Sequence, residues 1–306
     1  MSLFSQLLEF NNLKNAWENV ANNNGACGLD GQTIDQWWKD WEQRIRSLAV
    51  SVRRGTYKPK KYRITFIPKT NPNKKRKLAI PSLTDRILQK AAAQVLLPLY
   101  EPTFLPCSYA YRPKLGVHQA VQHVITLRNS GCGFCVAADI DNFFDSVDQE
   151  LLLRFLEPKV NDDRLLSLIA QWLEVYNYPN APSRGIAQGS PLSPLLANIY
   201  LNPFDQQLTS KKINLIRYAD DMLVLFSPCG QGKQILQHIH NALKPLSLRL
   251  DPKKTSLCSF KTGFKYLGVT FIGSQYHYNC NNKQISVSGE TADWLFSYYA
   301  QNYNYE

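Results

Sequence analysis

Apolar residues at helical spacing open the chain. Leu3, Leu7, Leu8, Trp17 and Val20 form one stripe over residues 1 to 22, which end in Asn22-Asn23-Asn24-Gly25. The same period predicts helices from Ile34 to Val52, from Thr84 to Leu99 with Asp85 in the first turn, and from Val117 to Arg128. It predicts further helices from Asp148 to Phe155, Asp162 to Tyr176, Leu192 to Leu208 and Gln231 to Leu246. Alternation or short apolar runs predict strands from Tyr62 to Ile67, Lys77 to Ile80, Cys135 to Ile140, Leu215 to Arg217, Met222 to Phe226, Thr255 to Phe260 and Phe264 to Phe271. Thr70-Asn71-Pro72-Asn73 reads as a hairpin turn, and Tyr218-Ala219-Asp220-Asp221 between two apolar runs is a second hairpin signal. Beyond Ile272 one helical pattern stands out, Thr291 to Gln301, with Trp294, Leu295, Tyr298 and Tyr299 near one face. Strands and helices mix without strict βαβ alternation, so the expected class is α+β.

Composition narrows this further. The 306 residues suit one large domain or two to three smaller ones, and 44% apolar with 19% charged residues excludes wholesale disorder. The longest mostly apolar stretch, Ala91 to Tyr100, is broken by Gln94 and Pro98 and is far short of the ~18 residues of a membrane span. The first residues, MSLFSQLLEF, carry no basic n-region and no small-residue cleavage site, so a cytoplasmic protein that avoids membranes is expected. The seven cysteines are then reduced thiols, and their odd number argues against a disulfide framework. Cys132-Gly-Phe-Cys135 has no partner pair, and the histidines show no metal spacing.

Charge changes the picture more. The net charge is +11, and residues 53–77 hold 11 Lys and Arg with no acidic residue. The rest of the chain balances. Such a segment is either a solvated basic hairpin or a contact for a polyanion, where each Lys or Arg placed on a phosphate releases counterions. Tyr57, Tyr62 and Phe66 interleave with the charges and would suit stacking on bases.

Three carboxylates are wedged against apolar strand sequence. Asp139 ends the run Cys-Val-Ala-Ala, and Asp220-Asp221 sit between Leu-Ile-Arg-Tyr and Met-Leu-Val-Leu-Phe. Adjacent acids there repel unless a cation compensates them. Mg²⁺ suits, since it is held by one or two carboxylates plus substrate phosphates, and two such ions clamp an in-line phosphoryl displacement. The alternative is a pair of aspartates chosen for turn geometry alone.

Four ordered blocks resemble the motifs of reverse transcriptases. They are Ala138-Asp139-Ile140-Asp141-Asn142-Phe143-Phe144-Asp145, the block from Gly185 to Asn198 (GIAQGSPLSPLLAN), Tyr218-Ala219-Asp220-Asp221, and Lys265-Tyr266-Leu267-Gly268. The 81-residue separation of Asp139 and Asp220 fits as well. The N-terminal blocks Gly28-Leu29-Asp30-Gly31, Ile67-Pro68-Lys69, Ile80-Pro81-Ser82 with Asp85-Arg86, and Ser108-Tyr109-Ala110-Tyr111-Arg112-Pro113 are similar to the bacterial group II intron-like lineage. The resemblance covers about residues 12 to 272.

It implies a right-hand polymerase with a palm of antiparallel sheet and helices, fingers, and a reduced or absent thumb. The implied domains are 1–115 (N-terminal extension and fingers), 116–272 (palm, part of the fingers and primer grip) and 273–306 (a short C-terminal segment). The implied activity is RNA-directed DNA polymerisation by two-metal phosphoryl transfer, with Mg²⁺ as cofactor and Mn²⁺ as substitute. Asp139, Asp220 and Asp221 are the implied metal ligands, and Lys254 matches the lysine that protonates the leaving pyrophosphate. Lys69, Arg76, Phe144 and Gln188 are implied in dNTP binding, Phe144 as the steric gate against a ribose 2′-OH. Tyr266, Leu267 and Gly268 match the primer grip. Arg53, Arg54, Lys58, Lys60 and Lys61 lie too far along the chain to join Lys69 and Arg76, and are expected to track nucleic acid.

The partners implied are an RNA template, a DNA or RNA primer, and dNTPs. Compact relatives suggest antiphage defence, with a CRISPR adaptation integrase complex, a dedicated non-coding RNA or a second reverse transcriptase subunit as further candidates. The Ala187 to Pro194 block is most similar to the CRISPR-associated type. Two other functions stand beside this one: template-independent or DNA-templated nucleotidyl transfer on the same palm, and a maturase-like RNA-binding scaffold.

Overall fold

In chain order the helices are α1 (Leu3–Leu7), α2 (Phe10–Asn22), α3 (Ile34–Trp38), α4 (Trp41–Arg53), α5 (Leu83–Tyr100), α6 (Val117–Asn129), α7 (Phe143–Ser146), α8 (Gln149–Leu156), α9 (Asp163–Tyr176), α10 (Ser193–Ser210) and α11 (Gly232–Leu243). The strands are β1 (Arg63–Pro68), β2 (Lys75–Ile80), β3 (Phe134–Asp139), β4 (Asn214–Tyr218), β5 (Asp221–Phe226), β6 (Ser256–Ser259), β7 (Phe264–Tyr266), β8 (Val269–Ile272), β9 (Gln275–Cys280) and β10 (Lys283–Ser288). This computed structural model describes residues 1–68, 75–176, 183–228, 230–280 and 283–288. Lys69, the turn at residues 70–73 and the helix expected from Thr291 to Gln301 lie outside the described residues. Among the described residues no helix is long and apolar enough to cross a membrane.

The chain divides into two compact units. The first gathers residues 1–103 and 144–200. Its helix α2 buries Leu13, Ala16, Trp17 and Val20 against α5, as the apolar stripe predicts. Ser82 caps α5: its Oγ accepts from Asp85 N at 3.1 Å and donates to Asp85 Oδ2 at 2.7 Å. The buried Asp85 carboxylate also accepts from the Lys60 backbone N–H (3.1 Å) and the Tyr57 hydroxyl, which in turn accepts from Trp172 Nε1 at 2.9 Å. Burial raises the Asp85 pKa and these bonds oppose the rise. The network anchors the start of the basic segment. The expected helix from Ile34 to Val52 is two, because Asp40 leaves helical geometry (φ −150°) between α3 and α4. The short α3 carries its own capping box, Thr33 with Gln36, and sets Trp37 beside Trp17 with ring centroids 5.4 Å apart.

The second unit gathers residues 104–143 and 201–306. Its main sheet is antiparallel, in the order β4-β5-β3-β6, and α6 lays Ala120, Val121, Val124 and Ile125 into the same core. A second antiparallel sheet runs β10-β9-β8-β7. Here the expectation of one strand from Phe264 to Phe271 is corrected to a hairpin. Phe264, Tyr266, Val269 and Phe271 are all buried, and a continuous strand would send the even and odd positions to opposite faces. The turn at Leu267 and Gly268 (φ +47° and +82°) reverses the chain, pairing Phe264 with Phe271 and Tyr266 with Val269. Strands β9 and β10, unexpected from the sequence, extend this sheet, and Tyr276 and Tyr278 join its core. Cys132 and Cys135 are free, buried thiols within that core.

Candidate active site

Register builds the acidic end of the main sheet. Strand β3 finishes on Asp139, β5 begins on Asp221, and these two residues face each other across the ladder. Directly opposed residues share one sheet face with Cβ atoms ~4.5–5.5 Å apart, so two like charges meet there. Asp220 lies in the two-residue turn between β4 and β5, and its carbonyl accepts from Ile140 N at 3.2 Å. The Asp221 carboxyl is pushed up to about 7, by burial first and then by the charges of Asp139 and Asp220, while Lys254 pulls it down.

Lys254 is the compensating cation. Its Nζ lies 2.8 Å from Asp139 Oδ1, and the loop that carries it is tied back by Asp251 N donating to Asp139 O at 2.8 Å. Partial burial works against the ammonium, but the Asp139 hydrogen bond and the charges of Asp139, Asp220 and Asp251 hold its pKa above the usual value. Among the described residues no three His, Cys, Asp or Glu side chains close into a finished metal cage. Facing carboxylates with a third beside them on a partly exposed edge nevertheless suit Mg²⁺, which takes one or two carboxylates and completes its shell with water and phosphate oxygens. Asp139, Asp220 and Asp221 are the residues that could hold it.

Tyr266 is buried beneath this region and its hydroxyl donates to Ile216 O at 3.3 Å. The Tyr266-Leu267-Gly268 segment therefore offers its turn at the surface and its ring to the core. Sequence reasoning missed Arg217 and Asp205, a fully buried ion pair behind the turn. A signal was present: an arginine within an apolar strand, and an aspartate as the one charged residue of α10.

In the first unit, backbone bonds join three sequence-predicted elements. Arg76 is exposed on β2 opposite Ile67. Three residues on, Ala79 N donates to Gln188 O at 2.8 Å, and Ile186 N donates to Phe144 O at 2.8 Å. Phe144 is half-buried in α7, next to Asp145, which accepts from Tyr176 Oη (2.6 Å) and pairs with Lys77 Nζ (3.5 Å).

The basic segment is less uniform than its charge count. Arg53 donates to Leu8 O at 3.2 Å, and Lys60 pairs with Asp30 at 3.1 Å. Arg54, Lys58 and Lys61 are exposed. Tyr57 and Tyr62 are half-buried and turn their hydroxyls to Asp85 and to the Trp172 carbonyl, so the expected stacking role is corrected for them; Phe66 is 59% exposed.

Comparison with known proteins identifies the family. Residues 67–271 match the family model described as reverse transcriptase (RNA-dependent DNA polymerase). The group II intron-encoded protein LtrA of Lactococcus lactis subsp. cremoris is 32% identical over 242 residues, which cover 77% of this chain and 38% of LtrA. Protein YkfC of Escherichia coli K12 is 30% identical over 295 residues, covering 82% of this chain and 77% of YkfC. A chain of a partial Cas6-RT-Cas1–Cas2 complex is similar at 26% identity with a TM-score of 0.47, over 80% of this chain and 42% of that one. The chain thus spans about two fifths of LtrA and most of YkfC. With residues 67–271 matched by the family model, and YkfC 30% identical over most of both chains, the chain belongs to the reverse transcriptase (RNA-dependent DNA polymerase) family, in its group II intron-like lineage.

Proposed function

We propose that this chain copies RNA into DNA, adding dNTPs to a primer or priming group with release of pyrophosphate. The observation that carries the reading is the face-to-face pairing of Asp139 and Asp221 beside Asp220, with Lys254 hydrogen-bonded to Asp139. When bound, two Mg²⁺ ions (or Mn²⁺) supply charge neutralisation for the in-line displacement. Asp139 and Asp220 hold them and Asp221 completes the acidic set. Lys254 keeps a proton at Nζ and delivers it to the departing pyrophosphate. Lys69 and Arg76 bind the triphosphate, Gln188 lies against the incoming nucleotide, and the Phe144 ring blocks a 2′-OH. Tyr266, Leu267 and Gly268 guide the primer, while Arg53, Arg54, Lys58, Lys60 and Lys61 track the nucleic-acid backbone. In domain terms we assign 1–115 to the N-terminal extension and fingers, 116–272 to the palm with part of the fingers and the primer grip, and 273–306 to a short C-terminal segment.

For the biological setting we infer cytoplasmic antiphage defence, with a CRISPR adaptation integrase complex as the leading partner. The Ala187 to Pro194 block supports it through its similarity to CRISPR-associated reverse transcriptases. The test of the activity is extension of a labelled primer on a defined RNA with dNTPs and Mg²⁺. Asp220→Asn should abolish extension and leave RNA binding intact, because an amide supplies no charge to the metals. Extension that persists in Asp220→Asn protein refutes the acidic set.

A further inference from the structure

Arg217 and Asp205 stand in surroundings that ordinarily exclude charge. Both side chains are 0% exposed. They meet in a fork: Arg217 Nε donates to Asp205 Oδ1 at 2.7 Å and Nη2 to Oδ2. Nη2 also donates to Ser108 Oγ at 2.8 Å, and Nη1 reaches forward to the Ala219 carbonyl oxygen at 3.1 Å. The strand beneath is fixed on its edge, since Arg217 N donates to Cys107 O at 2.7 Å and Tyr109 N to Arg217 O at 3.0 Å.

Ala219 is the first of the two residues that turn β4 into β5, and its φ is +58°. Glycine ordinarily fills a position of positive φ in such a turn. Asp220 and Asp221 follow immediately. Replacing a buried ion pair with apolar residues of similar size is often neutral or stabilising, so stability alone gives no reason for this pair. Its contact with the one strained peptide before the acids does.

We propose that Arg217, locked by Asp205, is a positioning residue for the acidic turn: its guanidinium holds the Ala219 peptide in the left-handed conformation and so sets where the Asp220 and Asp221 carboxylates point. The proposal rests on the polymerase reading only in assigning those carboxylates to divalent metal. A lysine cannot substitute, because one point charge cannot grip Asp205 by a fork and also reach Ala219.

The test uses the full chain and Mn²⁺ as the probe. The double variant Asp205→Leu/Arg217→Met removes the pair without leaving a buried charge. Circular dichroism and thermal melting establish that it is folded, electron paramagnetic resonance reads Mn²⁺ affinity, and primer extension reads kcat and KM. Supporting groups behind metal ligands typically change affinity about 10–100-fold, and a loss of that size is expected, with kcat falling and the KM for dNTP nearly unchanged. Adding Ala219→Gly, which adopts positive φ without strain, should restore most of the Mn²⁺ affinity. A folded double variant that binds Mn²⁺ like the parent, or that Ala219→Gly fails to rescue, overturns the proposal. Should the double variant not fold, Arg217→Lys takes its place: it must show the same loss, and parental Mn²⁺ affinity in it overturns the proposal. A parent protein that binds Mn²⁺ yet extends no primer refutes the polymerase reading and leaves the Mn²⁺ comparison to judge the positioning role.

Discussion

Gly189 tests how the Gln188 loop is held. Its φ is +129°, a conformation that side-chain-bearing residues avoid, and a Cβ there would sit 2.7 Å from the Ala79 carbonyl oxygen. That oxygen has little room to retreat. Ala79 is buried, pairs with Ile64 across the hairpin, and donates its N–H to Gln188 O at 2.8 Å. Strain at such a φ costs about 1–3 kcal/mol. Parting Ala79 from Gln188 leaves a buried N–H without its acceptor, about 1–3 kcal/mol more. Gly189→Ala should therefore destabilise the protein by about 2–6 kcal/mol. At roughly 2–4 °C per kcal/mol for a large domain, Tm should fall by roughly 4–24 °C.

Two other glycines separate the causes. Gly131 has φ +101° but nothing within 4 Å of its would-be Cβ, so Gly131→Ala carries strain without collision. Gly133 has neither burden, and Gly133→Ala should melt with the parent. Thermal unfolding of the three proteins should rank Gly133→Ala above Gly131→Ala above Gly189→Ala. If Gly189→Ala melts no lower than Gly131→Ala, the tie between the hairpin and the Gln188 loop contributes nothing, and the reasoning fails.

Phe144→Val should raise rNTP relative to dNTP incorporation by removing a collision with the 2′-OH; an unchanged ratio in a folded protein sinks the gate assignment. Neutralising Arg76 should raise the KM for dNTP with little change in RNA affinity. Neutralising Arg54, Lys58 and Lys61 together should weaken RNA binding and flatten its salt dependence by ~0.7 per lost phosphate contact on a single strand. Interchangeable behaviour of these two variants in both assays would reduce the segment to a diffuse positive surface.

The legible parts of this protein were those where sequence contradicts its own surroundings. Carboxylates inside apolar strand runs marked Asp139, Asp220 and Asp221, and the ladder sets Asp139 opposite Asp221. Long periodic stripes marked α5, α6 and α9 to within a residue or two, because an apolar face repeated over several turns has one way to be buried, whereas the stripe over residues 1 to 22 is split into α1 and α2. The α+β class and the reverse transcriptase family were readable for the same reason. Short elements were not. The β7–β8 hairpin looks like one strand because Phe264, Tyr266, Val269 and Phe271 are all apolar, and only the three-residue step from Tyr266 to Val269 betrays the turn. Arg217 and Asp205 were missed because their meaning lies in a contact twelve residues apart that also takes in Ser108.

Charge arithmetic shows the other boundary of sequence reasoning. A count treats residues 53–77 as one positive field with three aromatic rings among the charges. Folding sorts them by what each can reach. Tyr57 is drawn inward because Asp85, buried at the start of α5, needs donors, and the same carboxylate takes the Lys60 backbone N–H. Burial holds the Tyr57 and Tyr62 hydroxyls far above their usual pKa, so both stay neutral donors. Arg53 is engaged with Leu8, and Lys60 with Asp30. Arg54, Lys58, Lys61, Phe66, Lys75 and Arg76 keep exposed side chains, and Arg53 and Lys60 are exposed as well but already hold a partner. A polyanion meets exposed charge, not counted charge. The salt dependence of RNA binding should therefore follow Arg54, Lys58 and Lys61 most, with the partnered Arg53 and Lys60 contributing less and Arg76 serving the triphosphate instead.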